Sequence, residues 1–160
     1  MRLTLHSDYA LRVLMYVGLR GSELASIHEI ATAYGISTNH LTKVVQRLGH
    51  AGFVETVRGR KGGLRLARPP EQIVIGAVFR CTEEDLALVS CFADSRSCAV
   101  AGVCGLQPLL REALMAFLGV LDNATLADLI RPRRAAMAWR LGILPEETGG
   151  RPEKKGRKRE

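Results

Sequence analysis

Residues 26 to 66 read SIHEIATAYGISTNHLTKVVQRLGHAGFVETVRGRKGGLRL, and the order of signals within them decides the fold. Ser26 and Glu29 stand in the S-x-x-E pattern, in which each side chain satisfies a free amide at a helix start, and Gly35 supplies a left-handed terminator. That predicts a short helix of about ten residues, close to the usual length. After the linker GIS, a further helix runs through STNHLTKVVQRLGHAG, with Leu41, Val44, Val45 and Leu48 at i, i+3, i+4 and i+7 as its core face. Asn39, Thr42, Lys43 and Gln46 form the opposite face, polar and partly cationic. Two helices joined by a tight glycine turn describe a helix-turn-helix, whose second helix enters the major groove; a small bundle with a solvated face fits the helices equally well. The next stretch shifts the balance. FVETVRGRKGGLRLARPP alternates apolar and polar residues around a glycine-rich centre, a hairpin signature with Phe53, Val57, Leu64 and Leu66 as inward candidates. A purely structural hairpin does not need Arg58, Arg60, Lys61 and Arg65 within eight residues. Helices followed by a basic hairpin make a winged helix-turn-helix. Ser37, Thr38, Asn39, His40, Thr42, Lys43 and Gln46 are its candidate groove-facing residues, and the four wing cations reach phosphates or the minor groove.

Working outward, SDYALRVLMYVGLRG carries a first helix: Ser7 or Asp8 caps its start, Ala10, Leu11, Leu14 and Val17 keep the 3.6-residue period, and Gly18 and Gly21 end it. After Pro69 and Pro70, EQIVIGAVFRCTE is an apolar connecting strand or short helix that covers the core. LQPLLREALMAFLGVLDNATLADLI, residues 106–130, restores helicity, with Leu106, Leu110, Leu114, Phe117 and Leu121 spaced 4, 4, 3 and 4. That near-heptad seam is too long and too apolar for a surface helix of a small domain. It packs either on its own domain or, the favoured reading, in a homodimer, since winged-helix regulators read symmetric half-sites as dimers. The expected organisation is mainly α: a DNA-binding domain over 1–80, a cysteine loop over 81–105, a dimerisation helix over 106–130 and a basic tail over 131–160, disordered after about residue 145.

Composition narrows the class. A chain of 160 residues with 47% hydrophobic content supports a real core. No run of about 20 apolar residues exists to span a bilayer, and MRLTLHSDYA lacks the apolar stretch of a signal peptide, so a cytoplasmic location away from membranes is expected. The net charge of +7 is unevenly spread: 11 Lys/Arg against 5 Asp/Glu in 1–80, 2 against 7 in 81–130, and 10 against 4 in 131–160. The basic first part is the electrostatic footprint of a nucleic-acid binder, and no catalytic constellation accompanies it, so the chain is not expected to be an enzyme.

Within the acidic middle, SCFADSRSCAVAGVCG, residues 90–105, places Cys91, Cys98 and Cys104 in a stretch with little helical period. Reduced cytoplasmic thiols make a disulfide framework the poorest reading. Structural zinc prefers C-x2-4-C pairs, which are absent; iron-sulfur clusters take thiolates from longer, more open loops. Three thiolates leave one ligand to be found elsewhere. By spacing alone a cluster, a zinc brace and a plain thiol sensor or bland loop all stay open.

DYALRVLMYV, the helix-turn-helix and wing from Ser26 onward, the three cysteines and LREALMAFLGVLDNATLADL, in that order, closely resemble the nitric-oxide-sensing repressors in the family of bacterial winged-helix regulators that carry iron-sulfur clusters. The resemblance covers about residues 1 to 130. It implies a homodimer on double-stranded operator DNA, with Cys91, Cys98 and Cys104 as cluster ligands and Asp8 completing the cluster from the partner subunit; the cluster is 4Fe-4S or 2Fe-2S. It further implies that the cluster-intact form binds DNA, and that nitric oxide releases it and derepresses nitric oxide detoxification genes. Asp8 also reads as a first-turn acid favoured by the helix dipole. Family members that regulate cluster assembly carry a histidine three residues after the third cysteine, where this chain has Gln107, which argues against that branch. Cys81 falls where the family needs no cysteine and reads as a buried small residue. A related regulator sensing redox or iron-sulfur status and a zinc-braced DNA-binding regulator are the alternatives, and an iron-sulfur electron-transfer protein leaves the basic wing unexplained.

Overall fold

A computed structural model describes residues 3–59, 61–83, 85–92, 98–100 and 102–143. Helix α1 (Leu5–Arg20) is the central rod, with Ala10, Val13, Leu14 and Val17 fully buried. It starts earlier than Ser7 or Asp8: Thr4 is the cap and accepts from the Ser7 amide, while Ser7 itself is buried inside the first turn. Gly18 does not end the helix but lies within it, where its missing side chain lets Ile130 approach, and Gly21, at φ 66°, is the terminator.

Helix α2 (Ile27–Tyr34) begins with the complete Ser26–Glu29 capping box and ends at Gly35 in the left-handed conformation. Helix α3 (Thr38–His50) buries Leu41, Val44, Val45 and Leu48, the four positions its period picked out. Strands β1 (Val54–Val57) and β2 (Gly63–Leu66) pair antiparallel, Val54 facing Leu66 and Val57 facing Gly63. Ala25 bridges to Leu64 and adds a third edge, so the wing is tied to the turn before α2. Phe53 and Leu64 are buried as expected; Val57 and Leu66 are only half-buried, and Val54 is buried instead.

The segment after the two prolines forms helix α4 (Ile75–Thr82), which lays Ile75, Val78 and Phe79 on the core, with Cys81 half-buried beside it. The single long helix expected over 106–130 is broken. Helix α5 (Leu106–Asp122) ends at Asn123, and α6 (Leu126–Ile130) restarts behind a second capping box, Thr125 with Asp128. α6 packs against α1 and buries Leu126, Ala127 and Ile130. The chain's return is sealed by a bridge between Val74 and Thr125, with Ile75 N donating to Ala124 O at 2.9 Å and Leu126 N to Ile73 O at 2.8 Å.

The orientation of α5 also departs from the heptad reading. Leu110, Leu114, Phe117 and Leu121 are half-buried toward their own domain, Phe117 meeting the Phe79 ring at 5.5 Å between centroids. The stripe left exposed is its neighbour, Leu106, Leu109, Ala113, Ala116 and Val120. Leu118 is the only fully buried residue of this helix.

Past Ile130 the chain forms another helix, α7 (Arg134–Arg140), whose Arg134 donates to the Leu19 carbonyl at 2.7 Å and so caps the end of α1. The expectation of disorder beyond residue 145 lies outside the described residues. Among the described residues, no helix is long and apolar enough to cross a membrane.

Candidate functional site

The helix-turn-helix presents its polar residues as one surface. Thr38, Asn39, His40, Thr42, Lys43 and Gln46 are all exposed on α3, opposite the buried stripe, with Ser37 exposed at its N-cap. Thr42 Oγ1 donates back to the Thr38 carbonyl at 2.8 Å, and the His40 ring lies 6.3 Å from that of Tyr9 on α1. At the wing, Arg58 and Lys61 are exposed, and Arg60 lies outside the described residues. Arg65 is exposed too, but its guanidinium pairs across the strands with Glu55 at 2.8 Å, so it braces the hairpin as well as lending it charge. The exposed polar face of α3 and the basic hairpin belong to one unit, because α3 packs against β1.

The cysteine loop is the second candidate. Cys91, Cys98 and Cys104 are free thiols, each half-buried. Cys91 lies in a 3-10 turn, Ser90–Phe92, which α5 holds from below: Gln107 Nε2 donates to the Cys91 carbonyl at 3.2 Å, and the Arg111 guanidinium sits 5.3 Å over the Phe92 ring. Gln107 thus braces the cysteine loop from the first turn of α5. Among the described residues, no three His, Cys, Asp or Glu side chains converge in a metal-sized group, so the chain alone does not bring its three cysteines together with Asp8. Asp8 sits in the first turn of α1, its side chain 38% exposed, paired with Arg12 one turn on at 2.8 Å.

Two features near this loop carry no local sequence signal. Glu83, just after α4, reaches back to the start of α1, where its Oε1 accepts from Ser7 Oγ at 2.5 Å, Thr4 N at 3.0 Å and Thr4 Oγ1 at 3.1 Å. Ser7 Oγ also lies 2.8 Å from Thr82 Oγ1. Burial alone pushes the Glu83 carboxyl up, but the donors of Ser7 and Thr4 outweigh it and hold it below its ordinary value. On the other side of α4, Arg80 grips Asp122 at the end of α5 through two parallel bonds of 2.6 and 2.7 Å. These pairs join residues 42 and 79 positions apart, and only folding brings them together.

Comparison with known proteins places this architecture. The HTH-type transcriptional regulator NsrR of Bacillus subtilis (strain 168) is 50% identical over 139 residues, covering 86% of this chain and 95% of that protein. The regulator of the same name from Geobacillus kaustophilus (strain HTA426) is 53% identical over 135 residues, 83% of this chain and 92% of that protein. Among solved structures, CymR, the global cysteine regulator of B. subtilis, superposes with a TM-score of 0.69 at 26% identity, covering 82% of this chain and 98% of its own. T. potens IscR gives the same TM-score, 0.69, at 25% identity, over 85% and 90% of the two chains. The model of the Rrf2 family, described as iron-dependent transcriptional regulator, matches residues 3–132. The winged helix, the sequence relatives and the family match agree: this chain is a transcriptional regulator and belongs to the Rrf2 family.

Proposed function

We propose that the chain is a homodimeric repressor that senses nitric oxide through an iron-sulfur cluster. One observation carries the reading: three free, half-buried thiols in a loop that runs directly from the DNA-reading domain into a helix with an exposed apolar stripe. Soft thiolates suit iron-sulfur clusters, and the lack of a tight cysteine pair suits zinc poorly. Cys91, Cys98 and Cys104 would hold the cluster, and Asp8 of the partner subunit would complete it. When bound, the cluster supplies iron that reacts with nitric oxide.

The protein's own residues turn that reaction into a change of DNA affinity. Gln107 and Arg111 fix the cysteine loop to α5. Asp8 lies on α1, which packs against α3 more extensively than against any other helix. A ligand bond from Asp8 to the facing subunit would therefore hold the two α3 helices at a set separation. Losing it relaxes that separation, and half-site spacing tolerates little error. A tenfold loss of affinity needs only about 1.4 kcal/mol. Residues 1–80 would read the operator, 81–105 hold the cluster and α5 join the subunits.

Anaerobic purification tests this: a coloured protein that binds operator DNA and releases it on nitric oxide treatment is expected. A colourless protein that binds DNA equally in both states would sink the sensor reading and favour a static metal brace. Cys98→Ala is expected to abolish both the colour and the nitric oxide response.

A further inference from the structure

Helix α5 packs most deeply on its domain toward its C-terminal end, where Leu118 is buried. Its last turns carry Phe117 on Phe79, buried Leu118 and Leu121 on the core, and then Asp122. Its first turns expose Leu106 and Leu109. The attachment ends in the two-bonded Arg80–Asp122 pair, 44% and 39% exposed. Such exposed pairs add little to stability. A guanidinium fork on a carboxylate nevertheless fixes direction, because both bonds must lie in one plane.

The geometry is made possible by a missing side chain. Gly76 is the second residue of α4, one turn before Arg80. A Cβ at that position would overlap Asp122 Oδ1 and crowd Arg80 Nη1 at 3.0 Å. Glycine therefore opens the recess in which the Asp122 carboxylate lies.

We propose that Gly76, Arg80 and Asp122 form a clamp that sets the angle at which α5 leaves the winged-helix domain, and thereby selects the half-site spacing of the operator. This rests on the dimeric DNA-binding reading. Subunits joined along α5 inherit its direction. The helix is about 25 Å long, so a tilt of about 10° at its anchored end moves the far end by about 4 Å, more than the rise of one base pair. The three residues lie outside α3, the wing and the loop of Cys91, Cys98 and Cys104; they are specificity-determining by position.

The test uses the full-length, cluster-loaded protein and a duplex that it enriches from a random pool, together with the same duplex lengthened or shortened by one base pair between its half-sites. Wild type is expected to prefer its own spacing by about tenfold. Asp122→Asn, which loses the charge, Arg80→Lys, which keeps the charge but loses the fork, and Gly76→Ala, which keeps both charged groups but fills the recess, should each reduce that preference to about threefold or less. Sedimentation should still report a dimer, and thermal unfolding should be nearly unchanged. Folded, dimeric variants that keep the full tenfold preference would overturn the clamp and leave the regulator reading intact. Arg80→Lys behaving as wild type while Asp122→Asn does not would show that charge matters rather than direction, and would equally overturn it. A wild-type chain that enriches no paired half-sites overturns the dimeric reading itself, and the clamp with it.

Discussion

Glu83 is a single carboxylate that holds the start of α1 to the end of α4. Its folded pKa lies below the ordinary value, so its contribution to stability is fully present above that value and disappears as the pH falls through the lowered one. Glu83→Gln should therefore lower stability by about 1 kcal/mol near neutrality, through weaker, uncharged hydrogen bonds. Unfolding curves should show the difference shrinking as the pH falls below the ordinary glutamate value and the wild-type carboxylate is protonated. Nothing in TEED, residues 82–85, announces this role, because the partners of Glu83 lie at the other end of the domain. The residues that were legible are those whose chemistry is local. Ser26 and Glu29 satisfy each other three positions apart, and Leu41, Val44, Val45 and Leu48 repeat with the helix turn. Asp8 shows the limit: the sequence places an acid in the first turn, and the structure gives it Arg12 as its companion within the chain.

Elements reveal themselves by their ends and faces. Ser26→Ala removes one half of the α2 capping box and should cost about 1 kcal/mol, read from thermal unfolding. Helix α3 separates two kinds of contact that binding assays can tell apart. Lys43→Ala should weaken binding to all duplexes alike and reduce the salt slope by about 1, whereas Asn39→Ala should relax preference at one base-pair position by about 1–3 kcal/mol. A Lys43→Ala variant with altered base preference and an unchanged salt slope would contradict that assignment. The break between α5 and α6 was hidden because LDNATLADLI keeps apolar residues at helical spacing across it. The signal present was Thr125 three residues before Asp128, a helix start inside what looks like a helix middle. The facing of α5 was ambiguous for a related reason: apolar residues occupy two adjacent stripes, and periodicity cannot say which one the domain covers.

At the scale of the whole molecule, the surface left uncovered is the informative one. Leu109→Glu together with Val120→Glu places charges on the exposed stripe of α5 without touching Phe117, Leu118 or Leu121. The double variant is expected to sediment as a monomer while keeping the far-ultraviolet signature of the winged helix; an intact dimer would show that another surface joins the subunits. That surface was only partly legible in the chain, since an apolar helix predicts burial but does not name its partner. The bridge between Val74 and Thr125 has a wider consequence. It brings together the two ends of the intervening stretch, so the winged helix holds the cysteine segment and α5 as one closed excursion, anchored at its start by α4 on the core. For a flexible loop, doubling such a detour costs only about 0.6 kcal/mol in closure entropy. Ligands could then be gained, lost or respaced within it while the DNA-reading part keeps its packing. One reading head could in this way serve many chemical inputs, its sensor exchanged like a cartridge at a fixed socket.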